Sequence, residues 1–319
     1  MKRSEGKRNE GHITLARALV TGAAGFLGGA LARFLRDTHL AVDRFDCAYD
    51  QDANASPPQS VLDPAAVDSA VKNVDLVFHL AGILGTTALL SRNAEAIDIN
   101  IKGTVNVLDA CLCHRVHALF YPTKPNEWLN TYSITKKAAE GFVQMYARLY
   151  GLNARILRLF NVYGPGQRIY PVRKAVPVMV IQGLYSMDIE VYGNGEQPVF
   201  LTYVDDVVRN IALYTLDQKY DATIRDTGNS IQMSVNEMAG MIRRLTKSKA
   251  GIRHLPMRAG EDVGKIIEPL PGPTAADLLD GAAATTPIES GMSATVEHYA
   301  KLPPERLTQA LKFYYGTAQ

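Results

Sequence analysis

Between residues 16 and 160, short apolar runs alternate with stretches in which apolar residues recur every three or four positions. The runs Ala16–Val20, Leu40–Phe45, Leu76–Leu80, Ala118–Tyr121 and Ala154–Phe160 have the length and residue types of buried strands. Helical spacing fills the intervals near Phe26–Arg36, Pro64–Lys72, Asn100–Cys113 and Thr131–Tyr150. In the first helix Phe26, Ala30 and Phe34 make one four-residue ladder, and Leu27, Leu31 and Leu35 make another. This alternation predicts an α/β protein whose doubly wound parallel sheet is covered on both faces by right-handed crossovers. Ligands of such sheets lie beyond the carboxyl ends of the strands, where most of the unusual residues of this chain fall.

After Gly164-Pro165-Gly166-Gln167-Arg168 the rhythm breaks. A helix is predicted from Pro177 to Tyr185, a short strand at Ile189–Tyr192 and a helix at Val204–Leu216 opened by Asp205 and Asp206. Ala222–Asp226 adds a last strand to the sheet. Ser234 and Glu237 form a capping box for a helix ending at Leu245, and Pro303 and Pro304 introduce a terminal helix. The expected organisation is a disordered tail over 1–12, a sheet domain from 13–168 and 202–234, and a smaller discontinuous lobe from 169–201 and 235–319.

The first strand runs into Gly22-Ala23-Ala24-Gly25-Phe26-Leu27-Gly28, with a helix starting inside the turn. Gly22 permits the tight turn, Gly25 lets a pyrophosphate approach the backbone, and Gly28 lets helix and sheet pack closely. Asp46 follows the second apolar run at the place where a carboxylate binds adenosine ribose hydroxyls. A carboxylate there repels a 2′-phosphate, so NAD is favoured over NADP. Arg44 projects to the same side and is the residue that would oppose this preference.

Composition removes several classes. Hydrophobic residues make up 47% of the 319, as in a packed globular protein, and the net charge of +2 carries no basic cluster interleaved with aromatics, so nucleic acid is not expected as a partner. No run is long enough to cross a bilayer, and the charged first dozen residues lack the apolar core of a signal peptide. Three cysteines, Cys47, Cys111 and Cys113, make no disulfide framework; buried free thiols in the cytoplasm are expected. No residue is assigned to a metal.

Tyr132-Ser133-Ile134-Thr135-Lys136 places a phenol and an ammonium four apart on one helix face. An adjacent ammonium favours phenolate, so the pair is expected to act as a general base toward an alcohol that loses hydride from the same carbon.

Taken together, these motifs resemble the extended short-chain dehydrogenases/reductases, specifically the NAD-dependent epimerase/dehydratase family of nucleotide-sugar enzymes. The resemblance also rests on Val77-Phe78-His79-Leu80-Ala81-Gly82, Asn100-x-x-Gly103-Thr104-x-Asn106, Arg158-Leu159-Phe160-Asn161-Val162-Tyr163-Gly164-Pro165 and Tyr203-Val204-Asp205-Asp206. It implies a Rossmann-type domain holding NAD tightly, a smaller C-terminal substrate lobe, and a nucleotide diphosphate sugar bound between them. It further implies that Leu80, Ala81, Gly82 and Ile83 line the adenosine side with Asn100 nearby, that Phe160 lies near the nicotinamide, and that Asn161 and Arg258 contact substrate. Thr123 takes the place of the family's serine or threonine bonded to the reacting sugar oxygen. His79 is expected to be a packing residue. The helices around Thr104–Cys113 and Thr131–Tyr150, apolar on more than one face, imply a homodimer.

Four departures stand against that pattern. Only eight residues separate Thr123 from Tyr132, where the family has a longer loop, so an open or unusually shaped sugar site is expected. Lys124-Pro125 replaces the Asp-Glu pair of the dehydratases and the glutamate of the decarboxylases. Gln197-Pro198-Val199-Phe200 stands where an arginine is usual. Ser60, with Val61 beside it, replaces the aspartate that contacts adenine. The reading these residues support is a C4 epimerase of a nucleotide-linked sugar, using Thr123, Tyr132, Lys136 and NAD. A 4-ketosugar reductase is the next reading, a 4,6-dehydratase the third, and an inactive NAD-sensing or scaffold protein the reading from another class. Trp128, in the short loop, either anchors that loop or lines the sugar site.

Overall fold

The computed structural model describes residues 16–48, 59–125, 127–216, 223–262, 267–279 and 285–316. The expected tail over 1–12, Asn126 of the short loop and the first residue of the expected strand Ala222–Asp226 lie outside them.

Among the described residues, six parallel strands form the central sheet. They are β1 (Arg17–Thr21), β2 (Ala41–Phe45), β3 (Leu76–His79), β4 (Ala118–Thr123), β5 (Ala154–Arg158) and β9 (Arg225–Asp226), in the order β2-β1-β3-β4-β5-β9. Side-chain alternation sends Leu19, Val77, Leu119 and Tyr121 to one face, where they pack with α2 (Pro64–Val71), α4 (Gly103–Cys113) and α5 (Thr131–Tyr150). Ala18, Val20, Phe78 and Phe120 point to the other face, against α1 (Phe26–Asp37) and α7 (Val204–Leu216). Chain order reverses beside β1, with β2 on one side and β3 on the other. That reversal opens a crevice at the carboxyl end of β1.

Several expected boundaries move. β4 runs past Tyr121 through Pro122 to Thr123; its pairing with β3 stops at Phe120, so the N–H that Pro122 lacks is not needed. The strand expected to reach Phe160 ends at Arg158, because Asn161–Tyr163 (β6) leaves to pair with β8 (Pro198–Tyr203), which also pairs with β10 (Ile231–Ser234). The helix expected to begin at Asn100 begins as α3 (Asn93–Ile97) and continues through a wide π turn at Asp98–Lys102 into α4. α6 (Ala175–Leu184) starts two residues before Pro177, which occupies the first turn, where a missing N–H costs nothing. All three cysteines are free, yet only Cys111 is buried; Cys113, two helical positions on, faces outward.

A separate apolar core collects α6, β7 (Ile189–Tyr192), α8 (Val235–Leu245), α9 (Ile288–Ala300) and α10 (Pro304–Tyr315), with β11 (Ile252–Leu255) paired to β7. Glu190 of β7 ties it together. Its carboxylate meets Arg173 and Arg253 at 2.5 and 2.6 Å and accepts from the Tyr315 hydroxyl.

The glycine turn shows why small residues are required. Gly22 has φ +71°, and a Cβ there would lie 2.7 Å from the Ala81 nitrogen. A Cβ on Gly28 would lie 2.2 Å from the Gly22 carbonyl oxygen. Gly28→Ala is therefore expected to force α1 away from β1, with a cost of about 1–3 kcal/mol and a loss of NAD affinity. Urea unfolding and NAD titration of the variant check both; native values in each would remove Gly28 from the packing argument.

Candidate active site

The cofactor end is built on β1, α1 and β2. No side chain caps α1 and its first turn carries no acidic residue, so its positive end is directed at the crevice. Arg33, Arg44 and Arg168 line the same cleft over Ala23, Ala24 and Gly25. Arg44 Nη2 donates to the Ala23 carbonyl at 3.2 Å, and Arg168 Nη2 reaches from far along the chain to the Ala24 carbonyl at 2.8 Å. Backbone that excludes a Cβ, an uncapped helix end and three guanidiniums fit the pyrophosphate of NAD. The sequence reading missed Arg33 and Arg168; spacing gave no signal for Arg168, which arrives by tertiary folding.

Asp46 sits one residue past β2. Its Oδ2 accepts from Ala24 N at 2.9 Å and its Oδ1 from Ala48 N at 2.8 Å, so the carboxylate faces the glycine turn. Arg44 reaches that turn too, as expected from their shared side of the strand. Gln59 N donates to the Asp46 carbonyl at 2.8 Å, which brings Ser60 and Val61 next to the end of β2. Ser60 Oγ accepts from Leu62 N, while Val61 is buried and presses on Gly103. Asp46→Ala is expected to weaken NAD and narrow its advantage over NADP, as measured by titrating both cofactors. Tighter binding of NADP than NAD by the unaltered protein would assign this pocket to Arg44 instead.

The floor of the crevice is Leu80–Ile83. Leu80 N and Ala81 N donate to the Thr21 carbonyl and hydroxyl, at 3.2 and 3.1 Å. Asn100, inside the π turn, accepts from Ile83 N at 2.8 Å and donates to the Ile83 carbonyl and to Thr135 Oγ1. It is a clamp between this floor and α5. His79 is fully enclosed between the Thr21 and Thr104 hydroxyls, and burial pushes its pKa down to about 3, so it is neutral and structural.

The candidate reactive residues lie where β4 stops and α5 begins. Asn130 caps α5 by accepting from Ser133 N, and its amide donates to the Gly260 carbonyl at 2.9 Å, tying the short loop to the Arg258 segment. Tyr132, Lys136 and Glu140 recur every four residues along α5. Glu140, which the sequence reading missed, is buried; it accepts from Thr123 Oγ1 at 2.5 Å and from Lys137 Nζ at 2.9 Å. Its signal was available, since it continues the four-residue spacing. Lys136 Nζ lies 3.9 Å from the centre of the Tyr121 ring. The electrostatics differ from the expected depressed phenol. Burial pushes Tyr132 up to about 12 and Lys136 down to about 7, with Glu140 opposing the shift of the lysine and Lys124 reinforcing it. Desolvation is the first cause of both shifts and sets their direction.

Phe160 packs on Phe200 at 5.2 Å, directly after Leu159 N bonds the Thr123 carbonyl, and Asn161 follows, exposed. Arg258 is not beside the glycine turn. It stacks 4.8 Å over Tyr192, pairs with Glu261 at 2.6 Å, and lines a separate pocket with Arg173, Lys174 and Tyr192. Gln197, in the segment that stands where the family usually has an arginine, donates to the Tyr192 carbonyl. Lys174 is half-buried in that pocket, with desolvation and then Arg258 pushing it down to about 8.

Comparison with known proteins agrees with the fold. Residues 18–223 match the model of the NAD dependent epimerase/dehydratase family. A UDP-N-acetyl-alpha-D-glucosaminuronate decarboxylase from Bacillus cytotoxicus is 32% identical over 269 residues, covering 75% of this chain and 83% of its own. A UDP-glucuronate 4-epimerase from Thermodesulfobacterium geofontis is 29% identical, covering 74% and 83% respectively. The fold superposes on the UDP-glucose 4-epimerase of Thermotoga maritima with a TM-score of 0.79 at 24% identity, over 89% of this chain and 99% of that one. With a Rossmann-type parallel sheet, a glycine cradle at β1 and a Tyr-x-x-x-Lys helix after β4, the chain belongs to the NAD dependent epimerase/dehydratase family.

Proposed function

We propose that the protein is an epimerase of a nucleotide diphosphate sugar, acting at C4 through a 4-keto intermediate. The observation that carries this reading is the grouping of Thr123, Tyr132 and Lys136 beside the NAD crevice, with Lys124-Pro125 in place of any carboxylate that would eliminate water. NAD, when bound, supplies reversible hydride acceptance. Gly22, Gly25, Phe26, Leu27 and Gly28 hold its pyrophosphate, Asp46 its ribose, and Ser60, Val61 and Leu80–Ile83 its adenosine. Tyr132 takes the proton from the C4 hydroxyl and later returns it. Thr123 Oγ1 donates to Glu140 in the free protein; to steady the C4 oxygen as its proton leaves for Tyr132, it turns that proton to the sugar. Lys136 stabilises the phenolate at the moment it forms. Asn161 of the sheet domain and Arg258 of a smaller lobe, 169–201 and 235–319, hold the substrate between them.

Denaturing the purified protein and identifying the released nicotinamide tests this reading, together with proton NMR of UDP-sugars after incubation. Stoichiometric NAD and a C4-epimer mixture are expected; an empty site that turns over only with added NAD(P)H makes it a ketoreductase. A second reading, loss of carbon dioxide from the same keto intermediate, is favoured by the 32% identity to a decarboxylase. A pentose product in the same spectra would establish it.

Among the described residues no helix is long and apolar enough to cross a membrane, and we place the protein in the cytoplasm. A homodimer through α4 and α5 fits their apolar surplus: Val107 and Val143 are buried, while Leu149 and Phe142 stay 71% and 37% exposed. Light scattering at micromolar concentration is expected to give twice the chain mass; a monomer would contradict the pairing.

A further inference from the structure

Lys124 stands between the two ends of the site. Its Nζ donates to Ser133 Oγ at 2.7 Å and lies 4.9 Å from the centre of the Tyr132 ring and 5.5 Å from that of Trp128. On its other side the charges that reach it are the Lys174 ammonium and the Glu261 carboxylate. It is partly buried, and none of the ion pairs of the described residues includes it. Burial first, and then Lys174, pushes its pKa down to about 8.

The charges can be matched to a ligand. In the pocket over Tyr192, Arg173, Lys174, Arg253 and Arg258 stand against the carboxylates Glu190 and Glu261, a surplus of two positive charges that matches the two negative charges of a nucleoside diphosphate. Lys124 is then a further cation, on the sugar side, and a neutral hexose would leave it without a counter-charge in a partly desolvated place. With C4 held at Tyr132, a cation over the Tyr132 ring faces the substituents on the ring carbons next to C4. Ser133 is buried, and after accepting from Lys124 it still has its own hydroxyl proton to give. An ammonium and a hydroxyl side by side suit one carboxylate.

We propose that Lys124 and Ser133 bind a carboxylate on C5 of the sugar, so that the substrate is a nucleotide-linked uronic acid. This rests on the reading of the site as one for a nucleotide sugar. The short loop fits it. Pro125 directs the chain away from β4 and Trp128 lies against Lys124, so the loop supplies a charged contact where a longer one would cover the sugar.

The test is calorimetric titration of the NAD-loaded protein with UDP-glucuronic acid, UDP-glucose and UDP, and with the thymidine equivalents. Unaltered protein is expected to bind the uronate at least tenfold more tightly than the neutral sugar. Lys124→Met is expected to weaken the uronate by about 10- to 100-fold, the worth of one charge-assisted hydrogen bond, and to leave the neutral sugar and the free diphosphate unchanged. Lys124→Arg, which keeps the charge, is expected to retain most of the preference, and the thermal midpoint of each variant shows that it is folded. Equal weakening of the diphosphate alone would make Lys124 a phosphate contact and overturn the proposal. Equal affinity of unaltered protein for uronate and neutral sugar would overturn it too, while leaving the nucleotide-sugar reading intact. If no nucleotide sugar or diphosphate binds in either form, the reading itself falls and the proposal with it.

Discussion

Tyr132→Phe is expected to fold, to retain NAD and to lose about 10² to 10⁴ in turnover. The phenol ring packs as before, so only the oxygen that carries the proton is removed. The pH profile adds a check that simple loss of packing would not give. In the proposed mechanism Tyr132 and Lys136 share the base function, and the group that first loses a proton is Lys136, pushed down to about 7 by burial. Below that pH the pair is fully protonated and cannot accept the C4 proton. Above it one site is vacant, and the proton of Tyr132, which burial holds near 12, can pass to the lysine as the phenolate takes up the substrate proton. Activity is therefore expected to rise with pH through about 7, and the residual activity of Tyr132→Phe is expected to lack that inflection. Unchanged turnover in the variant would remove Tyr132 from the mechanism. The same shift has a stability consequence: the folded state holds Lys136 with fewer protons than the unfolded chain between pH 7 and its ordinary value of 10.5. Across that window stability contributed by this group rises with pH.

Asp226→Ala is the substitution with the largest expected effect on stability, about 3–5 kcal/mol. Asp226 ends the short edge strand β9 and meets Arg158 of β5 in a two-pronged pair, at 2.6 and 2.9 Å. Its Oδ2 also accepts from Leu270 N at 3.0 Å, so one carboxylate holds the sheet edge and the returning chain together. Both side chains are nearly enclosed, at 13% and 5% exposure. Removing the acid leaves the Arg158 guanidinium buried without its counter-charge, which costs more than the pair itself contributes. Urea unfolding would show the midpoint falling with little change in slope. A loss under 1 kcal/mol would mean that Arg158 finds water or its second acceptor, the Glu268 carbonyl, sufficient.

The parts of the molecule legible in the chain are those governed by local spacing. Alternating strand and helix periods located β1 to β5 and the helices between them because each pattern is set by which face is buried. The capping box was equally visible: Ser234 and Glu237 form it at the start of α8. The elements that escaped are β6, β8, β10, β11 and α9. Most of these are strands of three to six residues, too short for a period to emerge, and α9 carries Gly291 and the β-branched Thr295 and Val296 within a weak apolar pattern.

In the site the division is similar. Tyr132 and Lys136, and the glycines at 22, 25 and 28, announce themselves because their chemistry depends on fixed offsets along one element. Glu140 follows the same offset and was legible in principle. What only the tertiary structure decided is the company these groups keep. Arg168 meets Ala24 across 144 positions, and Asn130 meets Gly260 across 130. The direction of the Tyr132 and Lys136 shifts belongs here too. Spacing alone puts an ammonium beside a phenol and predicts a lowered phenol pKa, whereas the partial burial of both groups lets desolvation set the direction. Charge neighbours can be read from sequence, but the amount of water removed from around them depends on the whole fold.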